Sequence, residues 1–420
     1  MRQWYRSASP GGRRAFWATF GGWALEGADA QIYGLVLPTL TALWHLTNGQ
    51  GGLASSVTLV CTALGGWLAG AASDRWDRVA VLRFTIAWYA VATALVGFAD
   101  GFESLLAFRC LQGIGFGGEW AAGAVLISEY VTTRYRGRAL GAVQSGWAVG
   151  WALTLAAYSV LVAVLPQAWA WRAMFWLGVL PALLVLALRR GIADPTADQR
   201  RREKSSPTEI FRPGLLRVTV FGALLGLGSH GGYYALTTFL PTYLHTTRHL
   251  SVMGSSGHLA VFIAGSFLGY LASGWLSDRI GRRRNVVLFA LCCLVTLVPY
   301  LLLPLGDLGT LIAGAPLGFF SAGIPGGLGA LFAELYPTRV RGTGQGFCYN
   351  LGRIVSAAFP ALVGYLSGRL GLAASIALFA GLAYALAAIA ATCLPETRDR
   401  ELPHDPAPAA RPERIAKLPR

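Results

Sequence analysis

The chain has 420 residues, of which 54% are hydrophobic and 13% charged, and a formal net charge of +15. A soluble core does not need so apolar a composition, whereas a chain of membrane-spanning helices does. The basic excess excludes nucleic acid as its cause: it is sorted loop by loop, and no aromatic-basic binding module accompanies it.

Twelve apolar stretches of ~20 or more residues are predicted as spanning helices, so the fold class is all-α membrane protein. Residues 1–14 form a basic amphiphilic lead. The first span begins near Phe16, and its apolar run reaches Leu46. That run is too long for a signal-peptide core and lacks a small-residue cleavage site, so no cleavable signal is expected. Glu26 and Asp29 share a face of this span, and Asp29 lies about 13 residues in, roughly 20 Å along it. A charge at that depth is costly and marks a functional site by default. The second and third spans begin near Gly51 and Val79, joined by Gly70-x3-Asp74-Arg75-Trp76-Asp77-Arg78. The fourth, from near Ser104, carries Arg109, Gln112 and Glu119, the last two on one face. After it comes Glu129-x3-Thr133-Arg134-x-Arg136-Gly137. The fifth, from near Ala139, holds Gln144, Ser145 and Trp147, and the sixth starts near Ala173. Residues 15–188 thus make a first six-helix bundle.

Residues 189–214 read as a cytoplasmic linker, with Arg200 to Lys204 flanked by Pro195, Pro207 and Pro213. The seventh span, from near Leu215, centres on His230, Tyr233 and Tyr234, with Thr237 and Thr238 continuing the face. The eighth begins near Gly257 and ends in Gly274-x3-Asp278-Arg279-Ile280-Gly281-Arg282. The ninth and tenth begin near Val286 and Leu308, and Glu334-x3-Thr338-Arg339-x-Arg341-Gly342 follows. The eleventh, from near Gly342, sets Gln345, Tyr349, Asn350, Arg353 and Ser356 along one face. Arg353 comes roughly 18 Å along it, near the midplane. The twelfth starts near Leu372, closing a second bundle over residues 215–394. Residues 395–420 form a Pro- and Arg-rich tail, predicted to be disordered.

Two patterns organise these elements. Basic residues crowd the two ends and alternate loops. The opposite loops hold only Arg172, Arg248 and Arg369, while Arg109 and Arg353 lie inside spans. By the positive-inside rule both termini are cytoplasmic, and the basic face meets anionic lipid. Secondly, the loop motifs recur: Glu129 and Glu334 start the same E-x3-T-R-x-R-G string about 205 residues apart, and Asp74 and Asp278 repeat at nearly that offset. A duplicated membrane half is the architecture of many secondary transporters. The six cysteines (Cys61, Cys110, Cys292, Cys293, Cys348 and Cys393) lie in apolar runs without metal-ligand spacing and read as packing residues. Lysine occurs only at Lys204 and Lys417, a bias that suggests a GC-rich bacterial coding sequence and hence the bacterial inner membrane.

Gly274-x3-Asp278-Arg279-Ile280-Gly281-Arg282-Arg283-Arg284 resembles the signature loop of the major facilitator superfamily. Gly70-x3-Asp74-Arg75 resembles its first-half copy, with Asp77 where Gly is usual. The resemblance spans almost the whole chain and implies two six-helix bundles rocking about a central site. Three strings are similar to the branch of sialate, aromatic-acid and related metabolite:proton symporters. They are Glu26-Gly27-Ala28-Asp29, Arg109-x2-Gln112-Gly113-Ile114-Gly115-x-Gly117-Gly118-Glu119-Trp120 and Asn350-Leu351-Gly352-Arg353-Ile354. Leu394-Pro395-Glu396-Thr397 is similar to the tail of sugar porters. Gly146-x3-Gly150 leads into Trp151, not the Pro of drug:proton antiporters.

The expected function is proton-coupled symport, by alternating access, of a small organic acid such as a monocarboxylate, an aromatic acid or a sialic-type sugar. Asp29, Glu119, Glu26 and Arg109 are the proton-coupling candidates, since a carboxylate moving between a buried and an arginine-paired environment exchanges a proton. Arg353 is the anchor for a substrate carboxylate, because its fork suits bidentate binding. Asn350, Tyr349, His230, Tyr233, Tyr234 and Gln144 are expected around it. The alternative for Arg353 is an ion pair across the bundle interface with Asp29 or Glu26. The gating set is Asp74, Arg75, Arg78, Asp278, Arg279, Arg282, Glu129, Arg136, Glu334 and Arg341. There the aspartates should cap helices of their own half and the glutamates should pair with arginines of adjoining loops. Arg138 and Arg284 read as topology-setting charge. Offsetting Asp29 by about 205 lands on Tyr234, and Arg353 falls back on Ala148. Coupling thus belongs to the first half and anion recognition to the second. The protein is expected to act as a monomer, with substrate, proton and lipid as partners and no cofactor. No nucleophile–base pair, metal motif or phosphate loop suggests an enzyme. Sugar or polyol transport, efflux antiport and a transporter-like nutrient sensor are the rival readings.

Overall fold

The computed structural model describes residues 5, 10–75, 78–115, 131, 133–180, 207–337 and 340–398. Glu119 and Glu129, and the side chains of Asp74, Arg75 and Arg78, lie outside what it describes. The described residues are helical, with no strand among them. The first half holds α1 (Pro10–Trp44), α2 (Asn48–Arg75), α3 (Arg78–Val96), α4 (Phe102–Gly115), α5 (Arg136–Val164) and α6 (Gln167–Leu177). The second half holds α7 (Pro213–Thr246), α8 (Val252–Ile280), α9 (Arg282–Leu302), α10 (Asp307–Leu335), α11 (Arg341–Ser356), α12 (Ala358–Leu370) and α13 (Leu372–Thr392). Six stretches among the described residues are long and apolar enough to cross a membrane, five of them in the second half.

Two boundaries differ from the sequence reading. The sixth helix begins at Gln167, well ahead of Ala173, because Pro166 sits just before it and cannot continue the preceding helix. The eleventh predicted span is two helices, α11 and α12, meeting at Ala357. Pro360 follows within one turn. It lacks the N–H that would bond the Ser356 carbonyl, and its ring crowds that turn.

Within the first half α1 packs on α5, and α2 and α3 pack on α4; within the second, α8 packs on α10, and α7 packs on α11 and α13. The halves meet along two seams, α5 against α8 and α2 against α12, and α1 faces α7 between them. One end of the molecule gathers the basic loops and is called here the basic end; the other is the far end.

Both seams need glycine for close backbone approach. A Cβ on Gly141 of α5 would stand 2.8 Å from Gly274 Cα and from the Tyr270 carbonyl of α8. A Cβ on Gly52 of α2 would collide with the Pro360 carbonyl of α12, and one on Gly364 would collide with the Asn48 carbonyl. The two seams close opposite ends of the space between the bundles.

Candidate functional site

The space left between the seams is a cavity of about 70 Å³, room for roughly five waters. Its wall is mixed in origin: Asp29, Tyr33, Tyr89, Arg109, Gln112 and Trp147 come from the first half, and Tyr234, Thr237, Thr238 and Arg353 from the second.

Two guanidiniums reach this space, each held differently. Arg353 donates through Nη1 and Nη2 to Glu26 Oε1, both at 3.3 Å, and through Nε to the Tyr234 hydroxyl at 3.1 Å. The ion pair joins α11 to α1 and therefore crosses the bundle interface. The interface pairing expected as the alternative is what the structure contains, with Glu26 as the acid.

Arg109 has no direct ion pair with Asp29. Its Nη1 donates to Gln112 Oε1 at 2.9 Å, and Gln112 Nε2 donates to Asp29 Oδ2 at 3.2 Å and to the Thr93 hydroxyl at 3.0 Å. The neutral amide is thus an insulating bridge between cation and carboxylate. Arg109 also lies 4.2 Å from the centroid of the Tyr33 ring, a cation–π contact that helps keep it inside the bundle.

Beside the cavity lies a patch of aromatic rings. Trp23 and Trp147 stand 5.0 Å apart, and Tyr349 and Tyr233 approach them from the second half at 6.5 and 6.4 Å. Tyr233 is a tie between bundles, since its hydroxyl oxygen accepts from Trp147 Nε1 at 2.8 Å and from Gln31 Nε2 at 3.3 Å. His230 packs edge-on against Tyr349 at 4.4 Å, and its Nδ1 faces the Gly226 carbonyl of its own helix at 2.8 Å.

Of the expected anchors, Arg353 and Tyr234 line the cavity, and Tyr233 and Tyr349 stand beside it. His230 lies one layer behind. Two expectations fail. Asn350 is exposed, because it sits one residue round from Tyr349 and so off the buried stripe of Gln345, Tyr349 and Arg353. Gln144 is buried but turned away from the cavity, donating to the Pro325 carbonyl of α10 at 3.2 Å.

The basic end is closed by charge. Glu334 of α10 accepts from Arg136 Nη1 at 2.8 Å, from Arg282 at 3.1 Å through each carboxylate oxygen, and from the Thr397 hydroxyl at 2.7 Å. Asp278 accepts from Arg282 Nη1 at 2.6 Å, and from the backbone N–H groups of Gly137 and Arg138 at 3.0 and 3.1 Å. The last two bonds cap α5, whose own N-cap residue Tyr135 supplies no side-chain cap. The expected cap within its own half is therefore a cap across the interface. The reason is geometric: the Gly137, Gly141 and Gly274 contacts bring the α5 terminus onto the last turn of α8. Arg138, read as topology-setting, also pairs with Asp278 at 3.4 Å. Arg279 is not in this network; it is exposed and stacks over Trp275 at 4.1 Å. Arg341 is buried and donates to the Ala333 carbonyl at 3.0 Å.

The tail enters the same network. Glu396 accepts from the Arg282 backbone N–H at 2.7 Å, capping α9 just after Gly281 makes its turn at φ +106. Thr397 is 1% exposed. The start of the tail, residues 395–398, expected from composition to be disordered, is thus held in place by these bonds; in the sequence Glu396 and Thr397 show only a likeness to the sugar-porter tail.

A family model described as the Major Facilitator Superfamily matches residues 19–315. The chain belongs to the major facilitator superfamily. It is a secondary transporter of that superfamily, not an enzyme. A probable 4-methylmuconolactone transporter of Cupriavidus pinatubonensis is 42% identical over 404 residues, covering 95% of this chain and 94% of that protein. A cis,cis-muconate transport protein of Acinetobacter baylyi is 28% identical over 379 residues, covering 85% and 89%. Among solved structures, the proton:xylose symporter XylE bound to 6-bromo-6-deoxy-D-glucose aligns with a TM-score of 0.72 at 16% identity, over 92% of this chain and 97% of that one. At that identity the likeness is one of fold. The superfamily fold accounts for the two seams and the space between them.

Proposed function

We propose that this transporter takes up a small organic acid together with a proton across the bacterial cytoplasmic membrane. It does so as a monomer, with the basic end and both termini cytoplasmic. The far end then faces the periplasm. Arg353 carries the reading. It is a guanidinium on the cavity wall whose partner, Glu26, belongs to the opposite bundle, and a substrate carboxylate can take the place of that partner. The relatives named for muconolactone and muconate support an acid as cargo. Ring stacking on the patch of Trp147 and Tyr233 would favour a flat or cyclic acid. Proton coupling is assigned to the carboxylates of α1, Glu26 and Asp29, with Arg109 near them; Glu119, a further candidate from the sequence, lies outside the described residues.

The test is uptake into proteoliposomes of labelled 4-methylmuconolactone, cis,cis-muconate and benzoate, with glucose as comparison, with and without an inward proton gradient. Accumulation of an acid against its gradient is expected only with the proton gradient. Binding of a matched acid and amide then examines the anchor. Arg353→Lys should weaken acid binding about tenfold to a hundredfold, because the charge remains and the fork is lost. Arg353→Gln should weaken the acid far more than the amide. Equal loss for both would favour a second reading, a neutral sugar or polyol as cargo with Arg353 held by Glu26 throughout the cycle.

A further inference from the structure

We infer that Arg109 is a second anchor for the cargo, and that the cargo is a two-headed acid, with a carboxylate at one end and a second carboxylate or a carbonyl at the other. The inference deepens the organic-acid reading and rests on it.

The two guanidiniums on the cavity wall are unequally provided for. Arg353 has a carboxylate, Glu26, and a hydroxyl, Tyr234. Arg109 forms no ion pair among the described residues. A guanidinium carries five N–H donors. In Arg109 one of them reaches an acceptor, the neutral Gln112 Oε1 at 2.9 Å, and Nε is buried with no hydrogen-bond partner. Asp29 is held off by the same amide, which donates to it. The Tyr33 ring adds attraction to the positive charge but no acceptor atom. Arg109 is only 5% exposed, and a cation at that depth is ordinarily paired and hydrogen-bonded. The space it lines is the one that cargo enters, so an acceptor on the cargo completes its coordination.

The spacing of the two anchors sets the length of the cargo. Arg353 is held at Glu26, and Arg109 lies over Tyr33, both positions being on α1. Seven residues separate them, roughly 10 Å along the helix. A charge-assisted hydrogen bond takes up about 3 Å at each end, which leaves roughly 4 Å for the skeleton between the two heads, about the span of four carbons. A lactone or ester carbonyl makes the same contact with Arg109 as a second carboxylate, without the second charge.

The anchors also belong to different halves, Arg109 to α4 and Arg353 to α11. A ligand shifts a balance between two states only by its difference in affinity for them. A two-headed acid makes its second contact only where both anchors are within its reach, and so draws the halves together around the cavity. An acid with one head gains nothing from that approach.

The test is calorimetric binding to the purified full-length protein of three probes with one six-carbon diene skeleton. They are trans,trans-muconate, its monomethyl ester, and sorbate, which has a methyl group in place of one carboxylate. Wild type should bind muconate at least tenfold more tightly than sorbate. The ester separates the two kinds of second head: tight binding supports a carbonyl, and weak binding beside tight muconate supports a second carboxylate. In Arg109→Gln the ratio of muconate to sorbate affinity should fall to within about twofold of one, and Arg109→Lys should keep part of it. Sorbate bound by wild type as tightly as muconate and the ester would overturn the inference without any variant and leave organic-acid transport standing. A wild-type preference that survives Arg109→Gln undiminished would overturn it too. Should wild type bind none of these probes and carry none of the acids in the uptake panel, the organic-acid reading itself fails, and this inference with it.

Discussion

The two ends of the molecule are shut by different physics. At the basic end, two acids and three arginines from both halves converge on the α5–α8 seam, with Glu334 and Arg282 almost wholly buried. At the far end, α2 and α12 touch through Gly52, Pro360 and Gly364, and the polar contacts are neutral: Asn48 Nδ2 to the Ser367 hydroxyl at 3.0 Å, and the Ala361 N–H to Ser56 at 3.1 Å. No ion pair crosses that seam among the described residues. One closure is directional and specific, the other a matter of shape. A transporter built this way can have its two gates tuned separately, because a substitution that matters to one is of the wrong kind for the other.

The comparison is best broken first at its strongest point. Glu334→Gln takes from Arg136 and Arg282 the carboxylate they share, while Arg282 keeps Asp278. Breaking a buried pair costs about 3–5 kcal/mol, enough to shift a two-state balance by a hundredfold or more. Thiol labelling of a cysteine reporter at Thr58 should rise from the basic side and fall from the far side. Unchanged labelling would mean that the charges only stitch loops together.

The opposite change is expected from Gly52→Val. Its side chain must push back the Pro360 carbonyl, and overpacking of that sort costs about 1–3 kcal/mol. The same reporter should then label more from the far side. If both variants open the same end, the division of labour between the seams is wrong. Thr397→Val sharpens the picture at the basic end. It removes one hydrogen bond to Glu334, worth about 1 kcal/mol, and should give a weaker copy of the Glu334→Gln pattern. Salt should matter least. The acids of the basic lock are nearly inaccessible to ions, so even 1 M salt, with a Debye length of about 3 Å, should leave labelling from both sides close to its low-salt level. Strong salt dependence would place the lock's energy on exposed residues instead.

What was legible in the sequence follows the same division. Charge in an apolar chain stands out, so Arg353, Asp29, Asp278 and Glu334 could be picked from composition and repetition. Their partners could not. Glu26 and Arg353 are 327 residues apart, and their pairing depends on how α1 meets α11. The cap that Asp278 places on α5 depends on a seam between halves, which a repeat of loop motifs does not encode. The far-end seam was silent because glycines and carbonyls carry no charge pattern, and abundant glycine is ordinary in spanning helices. Asn350 misled for a simpler reason. Spacing of three and four defines a stripe, and a residue on its edge satisfies the arithmetic without facing inward.

The tail has a consequence for how the protein comes to be made. Arg136 is synthesised early, Asp278 and Arg282 follow, Glu334 comes later, and Thr397 emerges last of all. A chain translated from its N-terminus therefore inserts every helix before the last oxygen of Glu334 finds its hydroxyl and before Glu396 reaches the start of α9. Until those residues are in place the barrier at the basic end is unfinished.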